Sequence, residues 1–305
     1  MANEITYTGS GANLRAAEVF NRLIHEDLVD RTDLRSVCVK LGDLGGSGSD
    51  TLVTPRVAYD DAMAAANTDE VTAADNTALG NSAITLSVAQ QILAYSSTDK
   101  LEITGGAGHL DLELLAQRMV DGYVLRFTDL VCAAFPSFTA NVTSSGVDMD
   151  VDDLIAAIDI MEQAVVPGQL ACALYTVQWT DLRNSMRGEG GPAQYKEDVQ
   201  GAIMAQQPGY KGRYYGVDII ATDSVTTAGG NSLGAMWGAG GIVYAEASPT
   251  GRMAGSIAAP VPAGSPVYAE FSRTADPGLS QVVGHAFVAV GIGEDARGVE
   301  IITDR

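Results

Sequence analysis

The sequence predicts an α+β fold in which one long helix packs against strands that lie mostly late in the chain. A wide apolar stripe at helical spacing runs through residues 109–135. A polar stretch, 42–81, precedes that helix and carries too few large apolar side chains to fold on itself. Strand-like apolar runs follow the helix at 170–177, 216–222, 266–273, 281–290 and 299–303.

The first predicted element is a helix over residues 12–29. Its apolar residues recur at steps of three and four, as on one face of a helix: Leu14, Ala17, Phe20, Ile24 and Leu28. A strand-like run at 35–41 follows, and a second strand or strand-helix run lies at 83–95. The polar stretch between these two runs is therefore predicted to project from the body of the protein, and we call residues 42–81 the arm.

The arm is predicted to contain a two-stranded hairpin. Its apolar residues surround Pro55, a residue that suits an edge strand: Leu52, Val53, Val57 and Tyr59. An isolated hairpin is at best marginally stable in water, so it needs another surface to lie on. We expect that surface to belong to a neighbouring copy of the chain, the alternative being a mobile loop of no consequence.

Charge suggests where the arm lies. The arm carries seven carboxylates and a single cation, Arg56, which gives a net charge of −6. Arg118 and Arg126, on the long helix of a neighbouring copy, are candidate partners, although both could equally serve only to solvate their own helix. The predicted contact residues between copies are Leu52, Val53, Arg56, Val57, Tyr59, Arg118 and Arg126.

The long helix is predicted to end at Pro136 and to measure roughly 38 Å. Gly122 in its middle is expected to allow a bend or a close helix contact. A second amphipathic helix is predicted to begin after Asp150, which suits the N-cap position.

The rest of the chain is predicted to be mixed helix and strand. Short helices are expected at 178–186 and 193–206, and the run IVYAEA within 233–247 favours a strand. The last two strand-like runs flank GIGEDARG and are predicted to form a closing hairpin.

Composition excludes several classes of protein. The chain has 305 residues, 46% of them apolar, and a formal net charge of −20, which argues against a surface that grips nucleic acid. No stretch approaches the roughly twenty apolar residues of a membrane span, and no signal peptide is recognisable, so we expect a cytoplasm-like compartment. The three cysteines, Cys38, Cys132 and Cys172, are far apart among apolar neighbours and are predicted to be buried free thiols.

Patterns that could carry chemistry each lack a required feature. The fingerprint-like run at 291–296 has only nine residues after it, too few for the helix and strand of a dinucleotide site. The aspartates at 148–153 mimic the opening of a calcium loop but lack its sixth-position glycine, and helix capping explains them better. We therefore predict no catalytic, cofactor or metal site.

The order of the elements is similar to that of a known family. Residues 84–135 look like an extended loop returning into a spine helix, and 209–225 (GYKGRYYGVDIIATDSV) look like a segment late in an axial domain. This order, over most of the chain, resembles the major capsid proteins of tailed bacteriophages, which have the Hong Kong 97 fold. The resemblance divides the chain into an N-terminal arm and helix (1–34), an extended loop with its flanking strands (35–104), a spine helix of the peripheral domain (105–136), an axial domain (137–247) and return strands that close the peripheral domain (248–305).

The resemblance implies a structural, non-enzymatic subunit of an icosahedral shell around packaged DNA, built from pentamers and hexamers. It implies a location in the virion after assembly in the host cytoplasm, and DNA enclosed without sequence-specific binding. Barely thirty residues precede the first strand, so we expect a separate scaffolding protein, with a portal and a decoration protein as further candidate partners.

One departure from the family is informative. Members that crosslink their shells use a lysine on the extended loop, whereas residues 42–99 contain none, and Lys40 and Lys100 lie only at its base. The resemblance therefore implies a non-covalent shell. Two alternatives stay open: an encapsulin, which is a cellular compartment of the same fold, and a soluble acidic α/β enzyme with a mobile lid.

Overall fold

The computed structural model describes residues 12–30, 33–57, 81–98, 112–144, 146–164, 166, 168–188, 209–248, 264–274 and 279–305. The helices within these ranges are α1 (Ala12–Asp30), α2 (Leu112–Ala134), α3 (Val151–Gln163) and α4 (Thr176–Gly188). The strands are β1 (Val39–Asp43), β2 (Thr51–Val57), β3 (Asn81–Ser87), β4 (Ala89–Thr98), β5 (Asn141–Ser144), β6 (Leu170–Leu174), β7 (Tyr210–Tyr214), β8 (Val217–Ala221), β9 (Thr227–Ala228), β10 (Asn231–Trp237), β11 (Ile242–Glu246), β12 (Val267–Thr274), β13 (Leu279–Ile292) and β14 (Gly298–Asp304). The predicted mixture of helices and sheets is confirmed.

A five-stranded sheet is organised around β13. β4 pairs with one edge of β13, β11 and β12 pair with the other, and β1 adds to β11 in parallel. Helices α1 and α2 cover one face of this sheet through edge-to-face aromatic pairs, Phe20 with Phe271 at 5.3 Å and Phe127 with Tyr244 at 5.2 Å. This helix-covered face holds the larger of the apolar cores.

The predicted long helix is confirmed as α2, which is about 35 Å long. Its apolar stripe is buried against the sheet through Leu115, Met119, Val120, Tyr123, Val124, Phe127 and Val131. Pro136 lies in the short 3₁₀ turn Phe135–Ser137 that follows the helix. Proline lacks the N–H that another helical turn would require, so the helix ends there.

β11 and β12 are two halves of one strand. Val288 pairs with Ala89 of β4 and with Glu246 of β11, so β11 must lie on the edge of β13 opposite β4. β12 lies on the same edge, because β4 occupies the other edge along its whole length. Ala247 N donates to Phe287 O at 3.1 Å, and the next residue of β13, Ala286, pairs with Val267. Residues 248–266 are thus an insertion between neighbouring positions of a single strand.

A seven-stranded sheet forms the second layer of strands, in the order β5-β14-β10-β6-β8-β7, with β9 paired to β10. Helices α3 and α4 pack on it through a separate apolar core that includes Leu154, Leu182 and Ile219. Asp150 caps α3 as predicted, since its Oδ1 accepts from Asp153 N at 2.9 Å and its own N–H donates to Asp153 Oδ2 at 3.2 Å.

The predicted closing hairpin of the last two strands is wrong. β13 belongs to the five-stranded sheet and β14 to the seven-stranded sheet, where it pairs with β10 and β5. The connection crosses between the sheets beside the β10–β11 turn, and Gly293 N donates to Gly241 O at 2.9 Å. A Cβ on Gly293 would lie 2.4 Å from Gly240 O, so only glycine permits this approach.

Because the chain crosses between the sheets here, two strands do not lie in the sheet that the predicted domain boundary at 247/248 assigns to them. β11, placed with the axial domain, lies in the five-stranded sheet, and β14, placed with the return strands, lies in the seven-stranded sheet. The strand predicted over 170–177 is shorter than expected, since it ends at Leu174 and α4 begins at Thr176. The short helix predicted at 193–206 lies outside the described residues.

Candidate assembly surfaces

The arm leaves the five-stranded sheet at the end of β1, where three contacts anchor it. Lys40 Nζ lies 2.6 Å from Glu246 Oε2. Asp43 accepts hydrogen bonds from Ser248 N at 3.0 Å and from Ser248 Oγ at 2.7 Å. Leu44 N donates to Glu246 O at 2.8 Å. The root of the arm is therefore tied to the end of β11, where the insertion 248–266 also begins.

A buried polar network joins this root to the spine helix. Tyr123 OH donates to Glu246 Oε1 at 2.6 Å, so both carboxylate oxygens of Glu246 have partners. Burial, followed by the nearby charge of Glu246, raises the pKa of the Tyr123 phenol well above its usual value. The Arg35 guanidinium lies 5.5 Å from the centre of the Tyr123 ring, and Arg35 Nε donates to both oxygens of Asp33. A buried carboxylate satisfied on both oxygens fixes the position of the arm root on α2.

Asp43 remains ionised at mildly acidic pH. Burial alone would raise the pKa of its carboxyl group, but hydrogen bonds from Ser248 and from Gly45 N, with the charge of Lys40, outweigh burial and lower that pKa. The Asp43 carboxylate therefore keeps accepting hydrogen bonds from Ser248 until the pH falls to about its lowered pKa.

The base of the arm is the antiparallel ribbon β2–β3, which forms a separate two-stranded sheet. Leu86 is 4% exposed and packs with Val243 and Ala289 on the sheet face opposite α2, and Leu52 joins this small core as a half-buried residue. Val53 points away and is 58% exposed. The predicted hairpin strand is present as β2. The base of the arm packs on its own chain, because Val243 and Ala289 supply an apolar surface that is far from the arm in the sequence.

The arm continues in the sequence past this ribbon, through residues 58–80. Arg56 and Val57 pair through their backbones with Ser82 and Asn81, but their side chains lie outside the described part of the chain. Tyr59 lies outside it as well. Contacts of these three residues with a neighbouring copy stay a prediction.

A cleft of about 280 Å³ opens where α2 crosses β4 and β13. Two glycines shape its interior. A Cβ on Gly122 would lie 2.7 Å from Leu93 Cδ2, and a Cβ on Gly284 would lie 2.8 Å from Met119 Sδ. The close contact expected at Gly122 is thus made with a strand rather than with another helix, and this glycine was the one sequence signal for the cleft.

The rim of the cleft includes one of the two arginines predicted to meet the arm. Arg126 is exposed, and its Nε donates to Gln91 Oε1 of β4 at 2.9 Å. Arg118, also exposed, lies two turns earlier on the same i+4 row of α2, about 12 Å along the axis, with Gly122 between them. Ile92, on β4, is 60% exposed, but it pairs with His285 whereas Leu93 pairs with Gly284, so its side chain lies on the sheet face opposite the cleft. The structure thus places the exposed Arg126 at the edge of an apolar opening, with the exposed Arg118 on the same row of the helix.

The predicted buried free thiols are confirmed. Cys38, Cys132 and Cys172 are at most 7% exposed and unpaired, and burial raises the pKa of each thiol. Among the described residues, no group of three or more His, Cys, Asp or Glu side chains is placed to hold a metal ion. No helix in the described ranges is long and apolar enough to cross a membrane.

Solved structures with a similar fold include phage capsids and a bacterial encapsulin. The capsid of Ralstonia phage GP4 is 12% identical, with a TM-score of 0.60 over 90% of this chain and 92% of that chain. The mature capsid of bacteriophage PhiM1 is 10% identical, with a TM-score of 0.56 over 90% and 87% of the two chains. An encapsulin complex from Synechococcus elongatus is 10% identical, with a TM-score of 0.59 over 89% and 85%. This chain therefore shares the fold of these capsid and encapsulin proteins.

Sequence comparison adds nothing to the structural likeness. No protein-family model matches the sequence, and no curated protein sequence matches it significantly. At 10–12% identity the likeness concerns the fold alone.

Proposed function

We propose that this chain is the major capsid protein of a tailed bacteriophage, with a Hong Kong 97-type fold, and that its copies form an icosahedral shell. The observation that carries the proposal is the fold likeness to phage capsids over about nine-tenths of this chain and of those chains. In this role the protein is a structural subunit without catalytic activity.

The arm supplies the main contact between copies in this proposal. Its base is anchored by the polar network and by the small core around Leu86, so the ribbon is held at a fixed root. Beyond that root it presents the exposed Val53 and continues into an acidic segment. The root of the arm is fixed on its own subunit, and its outer part is proposed to contact a different surface on the next subunit. Such heterologous contacts close into rings and shells.

The proposed shell is held together without covalent bonds between subunits. The arm contains no lysine, and Lys40 at its base is engaged with Glu246 at 2.6 Å. The three thiols are buried within the subunit. Cohesion then rests on apolar burial, at about 25 cal/mol per Å², repeated over several neighbours.

The proposed shell encloses DNA in the virion without gripping it, in keeping with the formal charge of −20. Assembly takes place in the host cytoplasm, with pentamers and hexamers formed on a separate scaffolding protein and joined by a portal and a decoration protein.

A second candidate is an encapsulin-type compartment, which the similar fold of the Synechococcus encapsulin favours. An encapsulin would hold a protein cargo in place of DNA. The acidic enzyme with a mobile lid is less well supported, because the root of the arm is fixed by a buried network and not by a hinge.

Electron microscopy of the purified protein, with and without its candidate scaffolding protein, tests the proposal. Shells or capsomer-like rings support it, and shells that co-purify with an enzyme instead of packaging DNA would favour the encapsulin. A small uniform particle under every condition would contradict both shell functions.

A further inference from the structure

We propose that β4 pairs in antiparallel orientation with β4 of a second copy of this chain, across a two-fold axis that passes between their Ala94 residues. This inference rests on the proposed shell function, because an icosahedral shell brings identical chains together across two-fold axes. The contact belongs to the five-stranded sheet and is separate from the arm.

β4 forms an open edge of the five-stranded sheet. Within the described ranges this ten-residue strand pairs only with β13, along its whole length. Ala269 N donates to Asn21 Oδ1, so the backbone groups of Ala269 point away from β13. Gly284, which pairs with Ala269, therefore directs its own groups toward Leu93 of β4. It follows that alternate residues of β4 direct their N–H and C=O groups outward, namely Gln90, Ile92, Ala94, Ser96 and Thr98.

The opposite edge of the sheet is protected by the chain itself. Asn21 is fully buried and caps Ala269 N at 2.8 Å, and Ser265 Oγ donates to Val267 O at 2.7 Å. An edge without such a cover is usually blunted by charged residues or by proline. The sequence of β4 contains neither. A long, neutral edge of this kind is a template for pairing with another strand.

Charge and symmetry favour a second copy of β4 as the partner strand. Residues 76–98 contain no charged side chain, although the formal net charge of the chain is −20. Two copies can therefore bring these strands together without the like-charge repulsion that acts between the rest of their surfaces. A two-fold axis perpendicular to the sheet relates identical strands in opposite directions, so it produces antiparallel pairing.

The outward residues determine the register of the pair. When Ala94 lies opposite the second copy's Ala94, Ile92 lies opposite Ser96 and Gln90 opposite Thr98. Every outward residue of both strands then has a backbone partner. Ile92 is 60% exposed in the single chain, and in this register it packs beside alanine and serine of the second copy.

The long helices leave room for this pairing. Arg126 Nε donates to Gln91 Oε1, so Arg126 lies three residues from the axis and the two Arg126 residues are about 20 Å apart along the strands. Three strand spacings, about 14 Å, separate the two copies of β13. Because α2 lies over Gly284 of β13 and Leu93 of β4, the two α2 helices are about 10–14 Å apart, no closer than packed helices.

Disulfide crosslinking tests the pairing and its register, both in shells and in concentrated purified protein. The Ile92→Cys/Ser96→Cys double variant is oxidised by air with copper phenanthroline and should give a band near twice 31.7 kDa, because paired Cα atoms about 5.5 Å apart suit a disulfide. Each single variant should give about tenfold less, because its two cysteines are about 13 Å apart along the strands. The native cysteines are buried and leave this readout clear.

A proline variant gives an independent readout. Ala94→Pro removes an N–H that points outward and leaves the bonds to β13 in place, so the subunit should keep its wild-type circular dichroism. In the double-cysteine background it should reduce the crosslink about tenfold, because the pair loses two backbone hydrogen bonds. Ala94→Ser keeps the N–H and should leave the crosslink unchanged. Ala94→Lys, which places two like charges at the axis, takes the place of the proline variant if that variant does not fold.

The outcomes separate this inference from the function on which it rests. Normal shells whose double-cysteine chains stay monomeric, or crosslink only to a different protein, would overturn the strand pairing and leave the shell function standing. Single variants that crosslink as well as the double variant would overturn the register and the two-fold axis at Ala94. A crosslinked pair in a protein that forms no shells would support the pairing and contradict the shell function alone.

Discussion

Because β11 and β12 are two halves of one strand, the insertion 248–266 between them should be removable. Removing all nineteen residues joins Ala247 directly to Val267, which are already neighbours along the edge of β13. Closing a loop of this length costs about 2.6 kcal/mol of chain entropy, a cost that the deletion removes. The deletion also loses two hydrogen bonds between Ser248 and Asp43, of about 1 kcal/mol each. The free energy of unfolding should therefore change by no more than about 2 kcal/mol.

A deletion one residue shorter, 249–266, is the matched variant. The extra residue, Ser248, shifts β12 by one position. Either the side chains of β12 then exchange faces, so that Val267 and Phe271 leave the helix-covered face, or the strand forms a β-bulge. Exposing two such side chains costs roughly 3–6 kcal/mol. Urea denaturation followed by circular dichroism compares the two proteins. A nineteen-residue deletion that is no more stable than the eighteen-residue one would refute the assignment of β11 and β12 to one strand.

Three further predictions concern assembly and the arm root. Arg118→Glu or Arg126→Glu should slow shell formation in light scattering more at low salt than at high salt, because screening removes the repulsion, and Arg183→Glu on α4 should have no such effect. Mature particles boiled in detergent without reductant should run as one band near 31.7 kDa, and higher bands that survive reductant would disprove a non-covalent shell. The folded-state pKa of Asp43 is depressed, so its stabilising contribution is complete above its unfolded pKa of about 3.9 and is lost as pH falls through the folded pKa. The difference in unfolding free energy between wild type and Asp43→Asn should therefore shrink between about pH 7 and about pH 3, and a difference that grows on acidification would contradict this.

Local patterns in the sequence predicted local structure well. The spacing of apolar residues located α2, Pro136 marked its end, and Asp150 was recognised as a helix cap. These features depend on residues a few positions apart, so a single sequence contains their whole cause.

Long-range pairing was the part that could not be predicted. β13 and β14 are close in sequence yet lie in different sheets, because Gly293 allows the chain to pass close to the β10–β11 turn. The support of the arm base depends on Leu86 meeting Val243, more than 150 positions away. The cleft where α2 crosses β4 and β13 depends on Gly284 facing Met119, and no local pattern in the sequence relates those two residues.

Removing the outer arm while keeping its anchored base tests whether the arm holds the proposed shell together. Val57 and Asn81 face each other at the end of the β2–β3 ribbon, so a two-residue Asn-Gly turn can replace segment 58–80 and close a regular hairpin. We expect a subunit with wild-type circular dichroism and thermal unfolding that forms no shells by light scattering or electron microscopy. A trimmed protein that assembles into shells as fast and as completely as the wild type would contradict the role of the arm in holding the shell together.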